Sequence, residues 1–516
     1  MKKIRILWTD DEIDILRSHI IFLEDKGYEV LTASNADDAI SIVGDEELDL
    51  ILLDENMPGK GGLEVLPLLK EMAPDVPIVM ITKSEEENIM EDAIGAKIDD
   101  YLIKPVKPNQ ILLSIKKLIE QKRLISDKTM AGYQAGFGEI SRMINMAGSF
   151  EDWSEIYKRL IYWELELENS DSGEMEGVLQ MQAVEANKEF SKFIQKNYKD
   201  WLNGVSDRPV LSPDILSKWV FPLIDKGEKV VLLIIDNFRF DQWKTVYPIL
   251  QDDFKIENEE VFCSILPTAT QYARNAIFSG LMPLEIQKRF PQWWYFDEDS
   301  EGKNMFEAEL LDKQLQRHSK PYSFHYEKIS NADAGQRFLN NLPNLLNNDL
   351  IAVVYNFVDM LSHARTESEM VRELAGDEKA YRSITQSWFR HSPILDVVKM
   401  LAEKKVKLII TTDHGTTKVN HPVKVIGDRN TSTNLRYKTG KNLDYNPKEV
   451  FEIRRPEEID LPKSNISSKF IFARSDDFLL FPKNYNYYVN YYKDTFQHGG
   501  ISLQEMLIPF VILSPK

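Results

Sequence analysis

Between residues 4 and 122, short apolar runs alternate with amphipathic stretches. IRILW (4–8), YEVLT (28–32), LDLILL (48–53), PIVMI (77–81) and DYLI (100–103) have the unbroken apolar character of strands buried on both faces. Between them, residues 12–26, 35–44, 61–72 and 86–95 carry helical spacing, and 108–122 closes the unit as a further helix. Five strand–helix pairs predict a doubly wound parallel (βα)5 sheet, with ligand chemistry at the carboxyl ends of its strands.

The rhythm then breaks. Residues 123–205 lack strand runs and proline and are rich in Glu, Lys, Gln, Trp and Met, which predicts several helices bridging two domains. NGVSDRPVLSPD (203–214), with two prolines, marks a boundary. From about residue 215 the α/β rhythm returns. KVVLLIID (229–236), LIAVVYNFVD (350–359) and KVKLIITTDH (405–414) are apolar runs that each deliver an acidic residue, so three strands are predicted to bring carboxylates to one sheet edge. The fold class is therefore α/β, in three parts: 1–122, 123–205 and 206–516.

Composition narrows the classes of function. A chain of 516 residues exceeds one ordinary core, and 43% hydrophobic with 28% charged residues describes a soluble globular protein. No stretch reaches the roughly 20 apolar residues that span a bilayer, so no membrane role is expected. MKKIRILWTDDE turns acidic too early for a signal peptide, and the single cysteine, Cys263, excludes an internal disulfide or a thiolate zinc finger. A cytoplasmic location is expected. The net charge of −19 disfavours long duplexes as partners, while small anionic substrates stay acceptable if metal cations supply the attraction. No P-loop motif is present.

The first unit carries its own chemistry. Asp10 and Asp11 follow the first predicted strand, Asp54 ends the third, Thr82 the fourth, and Lys104 follows the fifth. Carboxylates on adjacent strand ends suit a magnesium ion, which neutralises charge on a phosphoryl group moving to Asp54. Lys104 would pair with that phosphate and the Thr82 hydroxyl would bond to it afterwards. These pieces, in TDDE (9–12), LLDENMPGKGG (52–62), ITKS (81–84) and YLIKP (101–105), resemble the two-component response-regulator receiver over residues 1–122. The resemblance implies Asp54 as phosphoacceptor, magnesium held by Asp11, Asp54 and the Asn56 backbone with help from Asp10, and Thr82 with Tyr101 as a switch pair.

The last domain offers a second set. Asp236 ends one strand, Asp413-His414 another, Asp359 and His363 lie four apart, and His498 sits in FQHGGISLQE. On a helix, the four-residue spacing puts Asp359 and His363 on one face. Oxygen and imidazole ligands without thiolate suit zinc or manganese in an open catalytic site, and two ions can bind both the attacking and leaving oxygens of phosphoryl transfer. ILPTATQYARNAIFSG (265–280) supplies Thr268 and Thr270 at the start of a predicted helix, where a developing anion is favoured. A helix cap is the commoner use of a lone threonine. Arg274, one turn on, is placed to face the same phosphate.

In the order Asp, Thr, Asp-x-x-x-His, Asp-His, His-Gly-Gly, residues 215–516 resemble the PglZ branch of the alkaline-phosphatase superfamily. The resemblance implies one zinc on Asp236, Thr270, Asp413 and His414 and another on Asp359, His363 and His498. It selects Thr270 as nucleophile by its count of ten residues to Gly280, matches Arg274 to an arginine of the related sulfatases, and disfavours sulfate esters because Thr270 replaces their modified cysteine or serine. All three parts together resemble PorX-type response regulators. That implies a sensor histidine kinase partner, a link to type IX secretion with a sigma factor as candidate partner, phosphodiesterase action on a nucleotide or short oligonucleotide, and a phosphorylation-promoted homodimer. The alternative is a non-catalytic signalling regulator that acts by binding such a partner.

Three features stand outside these sets. NYNYYVNYYKD (484–494) packs five tyrosines before His498 and reads as an aromatic strand or hairpin over the core, with a nucleobase-stacking platform as the functional alternative. His391 and His421 read as surface histidines. Residues 281–350, with PQWWYF, read as an inserted cap or a structural subdomain.

Overall fold

The structure, a computed structural model, describes residues 3–74, 76–83, 98–168, 173–205, 208–297, 299, 302–367, 371, 376–428 and 431–516. The chain divides into two compact units, one ending at Tyr133 and one formed by Gln134–Glu168 with Gly173–Lys516.

The first unit is a 5-stranded sheet in the order β2-β1-β3-β4-β5, parallel at every pairing. Its strands are β1 (Arg5–Thr9), β2 (Glu29–Ala33), β3 (Leu50–Asp54), β4 (Ile78–Thr82) and β5 (Asp100–Ile103). Their unbroken apolar character has a simple cause: the sheet is covered on both faces. Leu7, Ile51, Leu53, Ile78 and Met80 point into one core, while Ile6, Trp8, Leu50, Leu52, Val79 and Ile81 point into the other. Helices Arg17–Asp25, Ala36–Asp45, Gly62–Met72 and Pro108–Ile115 supply the covers. The first starts later than its spacing predicts, since the Asp10 carboxylate accepts from the Glu12 amide at 2.9 Å and holds residues 11–16 in turns. The helix expected over 86–95 lies outside the described residues.

The helix expected to close at 122 does not stop there. A wider turn over Lys116–Glu120 leads directly into Gln121–Met146, because neither glycine nor proline interrupts residues 116–130. One glycine is irreplaceable on steric grounds: a Cβ on Gly62 would fall 2.2 Å from the Asp54 carbonyl oxygen. Gly62→Ala is expected to destabilise this unit by about 1–3 kcal/mol, the cost of overpacking; a thermal midpoint matching wild type would refute that packing.

In the second unit, helices Phe150–Glu168 and Gly173–Leu202 pair through Trp153 against Phe190 at 5.6 Å and Phe150 against Trp201 at 6.4 Å. They also bond to the rest of this unit: the Leu503 amide donates to Asn187 at 2.7 Å, and the Leu266 amide to the Tyr198 hydroxyl at 2.9 Å. Behind them lies a 6-stranded sheet. It comprises β6 (Val230–Ile235), β7 (Phe254–Cys263), β8 (Phe324–Ile329), β9 (Leu350–Tyr355), β10 (Lys407–Thr411) and the C-terminal strand Leu507–Pro515. The order is β7, C-terminal strand, β10, β6, β9, β8. Strands β10, β6, β9 and β8 run parallel, so their carboxyl ends share one edge. The C-terminal strand runs antiparallel to both β10 and β7.

Two local expectations are corrected. Strand β9 ends at Tyr355, and Asp359 stands in the first turn of helix Phe357–Glu367, so a helix delivers that carboxylate. The tyrosine run is neither strand nor hairpin: Tyr485–Tyr492 is a helix with no fully buried residue. Its aromatics favour strands only where a sheet face exists to pack them. Among the described residues, no helix is long and apolar enough to cross a membrane.

Candidate active site

Helix Thr270–Ser279 begins at the sheet edge and ends on Gly280, whose positive φ of 62° terminates it. Thr270 is its first residue, which puts the hydroxyl beside the helix N-terminus. The Thr270 Oγ1 lies 3.0 Å from His414 Nε2 and 3.5 Å from Asp236 Oδ1. His414 Nδ1 is 3.1 Å from the Gly415 carbonyl, which only accepts, so the ring proton resides on Nδ1 and Nε2 presents a lone pair. Asp236, Asp413 and His414 are all buried, with ligand atoms close enough to share one cation. Asp413 Oδ2 is buried without a hydrogen-bond partner among the described residues. Such an orphaned carboxylate oxygen fits a cation.

A second cluster, Asp359, His363 and His498, abuts the first. His363 Nε2 is 3.5 Å and His498 Nε2 is 3.7 Å from the Asp359 carboxylate. His498 Nδ1 faces the Thr268 carbonyl at 3.2 Å, which again leaves Nε2 bare. The rings of His414 and His498 stack at 4.3 Å and join the two clusters. Thr268 serves the second one: its hydroxyl donates to the Gly500 carbonyl at 2.8 Å and accepts from the Gly499 amide at 3.1 Å, fixing the loop that carries His498. Burial and the neighbouring Asp236 push both Asp413 and Asp359 above the usual carboxylate range. Burial, then the nearby His414, pushes His498 down to about 4, and burial also lowers His414. Neutral imidazoles beside mutually repelling carboxylates are the electrostatic signature of a cation site.

In the first unit, Asp10 and Asp54 are buried and Asp11 is exposed, and the three together could hold a cation. Lys104 Nζ bridges Asp10 at 2.8 Å and Asp54 at 3.0 Å. Burial first, opposed by the Lys104 hydrogen bond and reinforced by Asp10, pushes the Asp54 carboxyl up to about 6. The buried Thr82 hydroxyl donates to Glu55, Tyr101 is exposed at the surface, and Asn56 is an exposed residue of the loop after β3.

This arrangement has relatives. Residues 215–513 match the BREX system PglZ alkaline phosphatase-like domain. The chain belongs to that PglZ family. Residues 6–116 match the response regulator receiver domain, and 123–202 match the PorX response regulator linker domain, an order that matches the PorX-type architecture. The receiver segment is 38% identical over 123 residues to the alginate biosynthesis transcriptional regulatory protein AlgB of Pseudomonas aeruginosa, covering 24% of this chain and 27% of that protein. It is 36% identical over 118 residues to the phosphate regulon transcriptional regulatory protein PhoB of the same species, covering 22% and 52%. The chain thus spans about a quarter to a half of these curated relatives. A CheY-like receiver structure from Methanospirillum hungatei is 31% identical, covers 23% of this chain and 96% of that one, and has a TM-score of 0.23. A receiver implies a kinase that phosphorylates it.

Within the PglZ domain, one sequence expectation changes. Arg274 was placed to face a substrate phosphate, yet it is 1% exposed, with NH1 2.6 Å from Asp236 Oδ2 and Nε 2.5 Å from Glu307 Oε1. The four-residue offset keeps it on the Thr270 face of the helix, and the buried Asp236 and Glu307 carboxylates take up its guanidinium. Burial works to raise Asp236, but the Arg274 charge, the neighbouring His414 and His498 and the Arg274 hydrogen bond together hold that carboxylate below the usual range. Residues with no motif signal complete the shell. Glu307, in helix Glu307–Arg317, also accepts from Tyr326. Asn237, at φ 64°, donates to Asp359 at 3.5 Å and Ser362 at 3.2 Å. Asn304 donates to the Thr270 carbonyl at 3.1 Å. A polar residue directly after a strand-end carboxylate was the only hint for Asn237; nothing local marked Glu307. His391 bonds to the Ser387 carbonyl of its own helix and His421 pairs with Asp476 at 2.8 Å, and among the described residues neither joins the two ligand clusters of this site.

Proposed function

We propose that this chain is a two-component response regulator, phosphorylated on Asp54, whose output is a zinc-dependent phosphodiesterase acting on nucleotide or short oligonucleotide substrates. The observation that carries the reading is the pair of ligand clusters joined by the His414–His498 stack, with the Thr270 hydroxyl 3.0 Å from His414 Nε2 in the first of them. One zinc falls to Asp236, Thr270, Asp413 and His414, the other to Asp359, His363 and His498. Bound zinc would lower the pKa of the Thr270 hydroxyl and neutralise charge on the phosphoryl oxygens. The chain's own part begins with Thr270: its Oγ1 gives up its proton to water and attacks phosphorus, the bond to the leaving oxygen breaks with its electron pair going to that oxygen, which takes up a proton from water, and a phospho-threonine forms for water to cleave. Helix Thr270–Ser279 stabilises the anion at its N-terminus. Arg274 holds Asp236 ionised and fixed, and the Gly415 and Thr268 carbonyls hold the two imidazoles in their ligating tautomer.

The test is metal removal. Chelation is expected to abolish hydrolysis of model diesters, and zinc to restore it at two ions per chain by elemental analysis. Full activity in the stripped protein would end the proposal. In the receiver, magnesium would sit on Asp10, Asp11, Asp54 and the Asn56 backbone, with Lys104 and the Thr82–Tyr101 pair responding to the phosphate. Because burial pushes the Asp54 carboxyl up to about 6, cation binding there should weaken as pH falls below that value, when the carboxylate takes up a proton. Magnesium titrations on either side of that pH read the effect, and equal affinities would contradict it. The PorX-type likeness extends the reading to a sensor histidine kinase, a sigma-factor partner, type IX secretion and a phosphorylation-promoted dimer through residues 100–118. Sizing with and without acetyl phosphate tests the last.

A further inference from the structure

The tyrosine helix has two different faces. Tyr485, Val489 and Tyr492 pack onto Val419, Leu435, Phe478 and Leu480. Large rings reach solvent: Tyr487, on the opposite side, is 63% exposed, and Tyr488, at the margin of the packed face, is 37% exposed. These rings are ordered among themselves, with Tyr487 stacked on Tyr491 at 6.1 Å and 17°, and Tyr488 on Tyr492 at 6.0 Å and 16°. Solvent-exposed aromatic ladders on a helix contribute little to the fold, since their apolar faces stay wet.

Charge identifies what covers them. In a chain of net charge −19, residues 481–493 contain no acidic side chain, and exposed Lys483 and Lys493 flank the helix. Asn486 and Asn490 are exposed beside the rings. Flat π faces, amides and cations suit bases and phosphates of a single strand. The outer face offers no aliphatic side chain to a membrane or an apolar protein groove, because Val489 is turned inward.

The helix is also tied to the catalytic loop. The Thr495 hydroxyl donates to the Tyr492 carbonyl at 2.6 Å, the Asp494 amide bonds to Val419 at 2.8 Å, and the chain then passes through Phe496–Gln497 to His498. The segment from Tyr492 to His498 extends to at most about 20 Å. We propose that Tyr487 and Tyr488 form a base-stacking subsite that holds a single-stranded oligonucleotide while its phosphate occupies the Thr270 site. This rests on the phosphodiesterase reading for its second half only, because strand binding can be measured without turnover.

The experiment is fluorescence anisotropy of a labelled hexathymidylate on full-length protein in a Thr270→Ala background, which prevents cleavage. Tyr487→Ala/Tyr488→Ala is expected to weaken binding about tenfold, the lower end of what one base stacked on an aromatic ring contributes. Tyr487→Trp/Tyr488→Trp should bind at least as tightly as the parent. With Thr270 restored, the alanine pair should raise KM for the oligonucleotide and leave kcat/KM for bis-p-nitrophenyl phosphate unchanged. Both rings are more than a third exposed, so unfolding is not expected, and the unchanged small-diester rate reports that. Unaltered strand affinity in the alanine pair overturns the subsite, as does a parent protein that cleaves the small diester but binds no strand. If the parent cleaves no diester with zinc bound, the phosphodiesterase reading fails, while the anisotropy still decides the subsite.

Discussion

Thr270→Ala is expected to lower kcat for diester hydrolysis by on the order of 10⁴-fold or more, the range seen when a covalent nucleophile is removed. The fold should survive, because Thr270 is only half-buried, and the Asp236 and His414 side chains it touches are each held at their other atom, by Arg274 and by the Gly415 carbonyl. Zinc content should stay near the parent value, since Asp236, Asp413 and His414 remain. The contrast is Thr268, two residues earlier. Its hydroxyl holds Gly499 and Gly500, so Thr268→Val should loosen the His498 loop and lower zinc occupancy without removing the nucleophile. Rates measured at matched zinc occupancy separate the two. A Thr270→Ala enzyme that retains hydrolysis would remove threonine from the mechanism.

Arg274→Met should have the largest effect on stability. The guanidinium is buried between Asp236 and Glu307, and Glu307 also accepts from Tyr326. Removing the cation leaves two buried carboxylates uncompensated, at a cost of about 3–5 kcal/mol. Denaturant midpoints at saturating zinc would fall accordingly, with kcat lost as Asp236 shifts. A substrate-contacting arginine would behave differently, raising KM at an unchanged midpoint. That result would return Arg274 to the role its spacing suggested.

The site was legible in part, for a physical reason that recurs. Residues that follow a strand end, or keep a fixed helical spacing, and bear a rare chemistry leave a mark in the chain, as Asp236 and Asp413-His414 do in the first way and Asp359-x-x-x-His363 in the second. Glu307 carried none, because its partner Arg274 lies 33 residues away and only packing brings them together. The tyrosine run misled for a related reason. Its composition suits a strand, but Tyr485–Tyr492 bonds its backbone as a helix that packs Tyr485, Val489 and Tyr492 at helical spacing.

The sequence alone determined the doubly wound sheet, since strands buried on both faces must be apolar throughout and the two cores Leu7–Met80 and Ile6–Ile81 require it. It also determined which side chains could serve as ligands, because carboxylate and imidazole chemistry is carried by residue type. Only the tertiary structure decided which threonine meets His414, which way Arg274 points, and that helices Phe150–Glu168 and Gly173–Leu202 belong with the C-terminal unit. Those outcomes depend on side-chain direction and on partners distant along the chain. Such choices are made by packing and charge compensation, and local pattern does not encode them.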